Sequence, residues 1–352
     1  MIGKKPLQGH FIAPQLSVWS RPKGNQRRIK CVAASSQTIT QVSKIQEKST
    51  MPNTTTILVN HLGGIEASYQ TPGLDPSKPT LVLVNSFTTS SELYKTQYAN
   101  DDLTSKMNLL AIELLGHGQT RCKLANWTYW DTAYMNIQVL EALQKQGKID
   151  QSKGVFVLGT SQGGWITVRM ALLAPEKIFG IIPLGTSFDF ESAKTRELGC
   201  WNAPEDLTSV IDGWSKPAND DFRPGNDFSD FLIDIGFGKD CDSSVRDFWR
   251  KEIANNYVGE EGRKRARMAT INLRDRDGLH GRLADVVCPV LWLHGTADVV
   301  YSVANAEREI KMFVNSPDAQ LKVINGGQHF LSFSHPEKVD GAVAEFVGKY
   351  AK

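Results

Sequence analysis

Residues 154–172 read GVFVLGTSQGGWITVRMAL, and the reading of Gly159-Thr160-Ser161-Gln162-Gly163 within them decides the fold. With 29 glycines in 352 residues, a chance match to G-x-S-x-G is unsurprising, so the flanks must decide. Val155 to Leu158 form a short apolar run, as in a strand buried on both faces, and the run ends at the motif. Beyond it Trp165, Ile166, Val168, Met170, Ala171, Leu172 and Leu173 recur at helical spacing up to Pro175. Strand, tight turn and helix thus follow in the order that exposes a serine on a strained elbow, where bulk two positions either side would collide with the neighbouring strand or helix. The alternative is a strand-to-helix loop with an idle serine.

Working outward, strand and helix patterns alternate. Thr56–Asn60 and Ile65–Tyr69 read as a hairpin joined through Gly63-Gly64. Further strands are expected at Thr80–Asn85, Leu109–Glu113, Ile178–Leu184, Val290–His294 and Leu321–Ile324, with helices at Trp130–Gln146, Val303–Val314 and Pro336–Tyr350. Such alternation predicts an α/β fold with a mostly parallel sheet covered on both faces. Residues 188–284 interrupt it: they hold no strong strand but carry Trp201, Trp214, Phe228, Phe231, Leu232, Phe248, Trp249 and Tyr257 among many charges. A helical insertion over the sheet accounts for them, its aromatics either lining a pocket or fastening the insertion down. Pocket residues expected are Thr88, Trp165, Trp201 and Trp214.

Composition narrows the function classes. A chain with 41% hydrophobic residues can bury a sizeable core, and a formal charge of +2 implies no nucleic-acid surface. No stretch approaches the roughly 18 uninterrupted apolar residues of a membrane span. Five scattered cysteines without a C-x-x-C pair fit a reduced compartment, and seven histidines without H-x-x-x-H or H-x-H grouping give no metal signature. The expected partner is a small-molecule substrate, with no cofactor and no metal; the oligomeric state is left open. Residues 1–54 form a leader with eight Lys or Arg and no Asp or Glu before residue 47. It reads as an organelle transit peptide, hence a mitochondrial location, or as an extension ahead of a start at Met51 in a cytoplasmic protein.

Open α/β sheets place their chemistry at the carboxyl ends of the strands. The strand ending at Leu293 runs into His294-Gly295-Thr296-Ala297-Asp298, and the next runs into Asn325-Gly326-Gly327-Gln328-His329-Phe330. An acid and a histidine thus follow the serine in chain order on consecutive strand ends. A neutral imidazole removes the serine proton near pH 7, and the carboxylate fixes its tautomer. Individually, Asp298 could cap the helix starting near Ser302, and His329 could be a partly buried loop residue; Asp189 is the rival acid. His117, His294 and His335 read as structural.

The pieces LLGHGQT, GTSQGG, LWLHGTAD and GGQHF, in this order between about Thr55 and Lys352, resemble the signatures of the α/β-hydrolase superfamily. The resemblance implies a core of residues 55–187 and 276–352 with a helical cap at 188–275. It implies Ser161 as nucleophile, Asp298 as acid and His329 as base. The sequence departs from the common pattern after the third strand, where Asn85-Ser86-Phe87-Thr88 stands in place of His-Gly. Backbone N–H groups of Phe87 and Gln162 remain as oxyanion donors. The Asn-Ser pair is similar to 3-oxoadipate enol-lactonases, and Glu113 replaces the commoner aspartate before Gly116-His117-Gly118. A serine hydrolase of small to medium esters or lactones is expected. Alternatives are a carbon–carbon hydrolase of diketones and a non-catalytic ligand-binding member. For the carbon–carbon hydrolase, Arg274, Arg276 and Arg282 would have to bind an enolate or carboxylate; they are read instead as solvated partners of Asp275 and Asp277.

Because the basic leader holds no motif, a chain starting at Met51 is expected to hydrolyse esters as the full chain does. Loss of soluble, active protein on that truncation would contradict this.

Overall fold

The computed structural model describes residues 51–352. The expectations for the leader up to residue 50, including targeting, lie outside the described residues. Nine strands make one sheet: β1 (Thr55–Val59), β2 (Ile65–Gln70), β3 (Thr80–Val84), β4 (Asn108–Ile112), β5 (Arg121–Cys122), β6 (Val155–Thr160), β7 (Ile178–Leu184), β8 (Val290–Gly295) and β9 (Ala319–Ile324). Their order is β1-β2-β4-β3-β6-β7-β8-β9, with β5 pairing the side of β2. The hairpin of β1 and β2 is antiparallel, as is β2 against β4, and every pair from β4 to β9 is parallel. This is the mostly parallel α/β sheet expected, with β6 near its centre.

Side-chain alternation explains why the parallel strands read as unbroken apolar runs. Val82, Val84, Leu110, Ile112, Val155, Val157 and Ile181 point into one core, and their neighbours Leu81, Leu83, Leu109, Ala111, Phe156, Leu158 and Ile182 into another. Two apolar faces need two helical layers. Helices Tyr129–Lys145 and Gln162–Leu173 cover the first face, and helix Pro336–Tyr350 the second. The expected helix over Val303–Val314 is shorter, α-helical at Val303–Glu309 and then a 3-10 turn at Ile310–Met312.

Between β7 and β8 the chain forms helices Ala193–Glu197, Ala203–Gly213, Asn226–Phe237, Ser243–Asn256 and Gly259–Asp275. Both chain crossings into this helical stretch meet at one ion pair. Glu191, just before the first helix, receives a two-pronged contact from Arg276, just after the last, at 2.7 and 3.0 Å. The same guanidinium donates to the carbonyls of Asp189 and Leu273 and lies 3.6 Å above the ring centroid of Trp165. Burial opposes the charged form of Arg276, but Glu191 together with Tyr301 and Tyr129 outweighs it, raising the guanidinium pKa. Arg276 is therefore not the solvated charge expected from sequence. Asp277 turns to Arg169 instead, while Arg274 and Arg282 pair with Asp275 and Asp285 near the surface.

Removing one member of a buried, hydrogen-bonded pair strands the other charge. Glu191→Gln is expected to lower stability by about 3–5 kcal/mol, and Glu191→Leu with Arg276→Met by much less. Urea unfolding of the three proteins checks this; a wild-type midpoint for Glu191→Gln would contradict it.

Candidate active site

β6 ends at Thr160, and Ser161 turns the chain into helix Gln162–Leu173 with φ 54° and ψ −112°. A side chain in this backbone region is strained, and surrounding contacts must hold it. Ser161 N–H donates to Leu184 O at 2.8 Å, while its carbonyl accepts from Gly164 N–H and Thr186 Oγ1, each at 2.8 Å. The flanking glycines are steric necessities: a Cβ on Gly159 would strike the Gly163 carbonyl, and one on Gly163 the Val84 carbonyl.

Asp298 follows β8, and its side chain is fully buried. Its Oδ2 lies 2.9 Å from His329 Nδ1, and its Oδ1 accepts from the N–H groups of Val300 and Tyr301 at 2.8 and 3.0 Å. Burial pushes this carboxyl up, but His329, His294 and the Tyr301 N–H together hold it below the usual carboxylate range. The ionised carboxylate accepts, so Nδ1 of His329 carries the proton and Nε2 is left as the basic nitrogen. Asp298 does not cap the following helix; Ser302 does, accepting from Asn305 N–H at 3.2 Å. The rival Asp189 turns away, its carboxylate accepting from Phe190 N–H and Ser192 Oγ and standing 3.8 Å from His280. His294, fully buried, makes a 2.9 Å contact from Nε2 to Tyr301 O. His117 contacts Leu115 O at 2.9 Å, and burial pushes its pKa down to about 4.

Ser161 and His329 line one cavity together with Phe87, Thr88 and Trp201. Gln162 opens the elbow helix, where the first N–H groups have no intrahelical acceptor, and the N–H groups of Phe87 and Gln162 find no protein acceptor among the described residues. Trp165 and Trp214, expected at the pocket, do not line it. Trp165 is fully buried, stacked on Tyr129 at 5.8 Å beneath Arg276. Trp214 packs edge-on against Phe228 at 4.9 Å. Leu232, Ile233 and Phe237 from helix Asn226–Phe237, Trp249 and Ile253 from the next, and Tyr301 complete much of the wall. Of these, Ile233, Phe237, Ile253 and Tyr301 are not singled out by the sequence. Apolar spacing in FSDFLIDIGF marks a buried helix face, and cannot say that the face covers Ser161.

Apart from His329, no lining residue is acidic or basic. The helical stretch also docks on the His329 loop: Phe330 N–H donates to Gly236 O at 2.9 Å, and a Cβ on Gly236 would strike the Phe330 ring. Glu113 is raised by burial yet accepts from Ser91 and Gln119 N–H, which ties two loops together. Among the described residues no group of three His, Cys, Asp or Glu could hold a metal, and no helix is long and apolar enough to cross a membrane.

A family model described as serine aminopeptidase, S33 (Hydrolase_4) matches residues 75–335. Comparison with curated protein sequences finds no match. Among solved structures, the chain is similar to an esterase from Exiguobacterium antarcticum, with TM-score 0.66 and 17% identity over 84% of this chain and 100% of that one. It is also similar to a thermophilic esterase from Thermogutta terrifontis, with TM-score 0.63 and 18% identity over 85% and 100% of the two chains. An enol-lactonase from Burkholderia xenovorans gives TM-score 0.57 and 15% identity over 83% and 100%.

The contact between Asp298 and His329 distinguishes the two candidate acids. Asp298→Asn is expected to lower kcat by about 10⁴-fold through the wrong tautomer, and Asp189→Asn by far less. Steady-state kinetics on an activated ester checks this; the opposite ranking would move the acid to Asp189.

Proposed function

We propose, since the chain belongs to the serine aminopeptidase S33 family and is thus an α/β-hydrolase, that it cleaves small to medium uncharged esters or lactones through an acyl-enzyme on Ser161. The observation that carries this reading is the strained Ser161 sharing a cavity with His329, whose Nδ1 is held by the buried Asp298. In it, His329 Nε2 takes the Ser161 proton as Oγ attacks the ester carbonyl. The oxyanion forms between the N–H groups of Phe87 and Gln162. His329 then passes the proton to the leaving alkoxide, and a water repeats the sequence to release the acid. Residues 188–275 act as the cap that walls the substrate from above.

The lining favours neutral substrates. An aminopeptidase must satisfy the α-ammonium of its peptide, and a desolvated cation without a carboxylate beside it is costly. The lining residues offer none. Esters and lactones are the chemistry in the names of the similar esterases and enol-lactonase. A carbon–carbon hydrolase finds less support. Of the arginines that would hold an enolate or carboxylate, Arg276 is committed to Glu191, and Arg274 and Arg282 to neighbouring aspartates.

Ser161→Ala is expected to lower turnover of p-nitrophenyl butyrate by at least about 10⁴-fold, with the fold intact by circular dichroism. A fluorophosphonate should label the wild type and not the variant. Wild-type turnover of p-nitrophenyl butyrate and small lactones should exceed cleavage of a vinylogous 1,5-diketone of matched size. Faster diketone cleavage with negligible ester turnover would overturn the reading, and an unlabelled wild-type serine would favour a binding protein.

A further inference from the structure

The turn that follows β3 holds an unfavourable backbone conformation, and one buried amide binds both its ends. Ser86 to Thr89 leave β3 as a tight turn closed by Thr89 N–H on Ser86 O at 3.1 Å, with Thr88 at φ 59°. A positive φ at the third residue is the geometry of a type II turn, which ordinarily takes glycine or asparagine there. A β-branched residue in the left-handed region is an outlier, at a cost of order 1–3 kcal/mol. Thr88 relieves part of this locally, its Oγ1 donating to Phe87 O at 2.7 Å. The Thr89 hydroxyl accepts from Ser86 N–H and donates to Ser86 O, each at 2.9 Å.

These contacts close the turn on itself; among the described residues the Asn85 side chain supplies the hydrogen bonds that tie it to the β4 exit. Asn85 is buried at the end of β3, and its amide is fully engaged. Nδ2 donates to Thr89 O at 2.7 Å and Ser86 O at 3.2 Å, while Oδ1 accepts from Leu114 N–H at 3.0 Å, just beyond β4. A neutral side chain with two donors and one acceptor is needed, and of the acidic and amide side chains of this length only asparagine supplies it. The turn it holds carries Phe87 and Thr88 into the cavity beside Ser161.

We infer that Asn85 is a positioning residue for the oxyanion hole: it clamps the strained Ser86–Thr89 turn to the β4 exit so that the Phe87 N–H faces the developing oxyanion. The inference rests on the acyl-enzyme reading above. An oxyanion donor acts on the transition state more than on the bound ester, so loosening it lowers kcat and spares KM.

The test is steady-state kinetics on p-nitrophenyl butyrate with the full chain, beside melting curves and near-ultraviolet circular dichroism. Asn85→Ala is expected to lower kcat by about 10- to 100-fold, with KM within about threefold. Inhibition by a trifluoromethyl ketone, which forms a tetrahedral adduct on serine, should weaken by the same factor as kcat. Asn85→Asp keeps the shape and the acceptor for Leu114 while losing the amide donors, so it answers the question if the alanine variant does not fold; its kcat should fall at least as far. Glycine adopts the left-handed conformation without strain, so the turn then needs less holding. The Asn85→Ala loss, remeasured in a Thr88→Gly background, should therefore shrink about tenfold, a coupling that a purely structural role would not produce. A folded Asn85 variant with kcat within twofold of wild type, a loss confined to KM, or an equal loss in both backgrounds would overturn the proposal. If Ser161→Ala in the same assay keeps its activity, the nucleophile reading falls and this proposal with it. If Ser161→Ala is inactive and the Asn85 variants are not impaired, only the clamp is wrong.

Discussion

The positive φ of Ser161 is the constraint on which the site depends. No isolated strand–helix junction would hold a serine at φ 54°, ψ −112°, so neighbours must supply what the backbone lacks. They do so from two sides. The exit of β7 gives the Leu184 carbonyl and the Thr186 hydroxyl, and Gly159 and Gly163 leave room for close backbone approach. That support exists only because β6 lies between β3 and β7 in a parallel sheet, so the central position of the elbow strand and the strain at its end are one fact. The same geometry brings the β3 exit beside the elbow, where Thr88 is a second non-glycine residue at positive φ in the cavity wall.

Charge in the site follows from burial. Asp298 is enclosed and stays ionised because His329, His294 and two backbone N–H groups surround it. A buried carboxylate with these partners is a fixed negative charge in a weakly polarisable setting, which makes it effective at orienting one imidazole and unforgiving of loss. Its second oxygen holds the Val300–Tyr301 turn, and His294 fixes the carbonyl of Tyr301. Tyr301 packs against His329 at 5.8 Å, so the acid aligns its histidine directly and also through this aromatic neighbour.

The sheet was legible because its signal is local. Apolar runs of strand length, ended by Gly, Asn or Glu and separated by helical spacing, are visible at β3, β4, β6, β7 and β8 without tertiary information. Ser161 and Asp298 were candidates for the same reason, each following such a run, and His329 follows the next strand end, after β9. The fate of Arg276 was not legible. In NLRDRDGLHGR its nearest acids are Asp275 and Asp277, while its partner Glu191 lies 85 positions away, across the whole helical stretch. Trp165 failed for a related reason, since helical spacing identifies a buried ring and cannot say whether it meets a cavity or another ring.

The wall of the cavity divides by origin, and the division has a physical cause. Hydroxyls, the imidazole and the free N–H groups come from strand exits, where the sheet ends and backbone groups are left over. Leu232, Ile233, Phe237, Trp249 and Ile253 come from helices between β7 and β8, which meet the cavity with apolar side chains. The polar groups therefore come from the strand exits, and the helices add apolar surface to that of Phe87, Val300, Tyr301 and Phe330. The two halves must keep register for either to matter. Among the contacts that hold it are the Arg276–Glu191 pair against Trp165 on the elbow helix, and Gly236 against Phe330 beside His329. Each joins the helical stretch to an element that carries a candidate catalytic group, so displacement of the apolar wall is felt at the serine or the histidine.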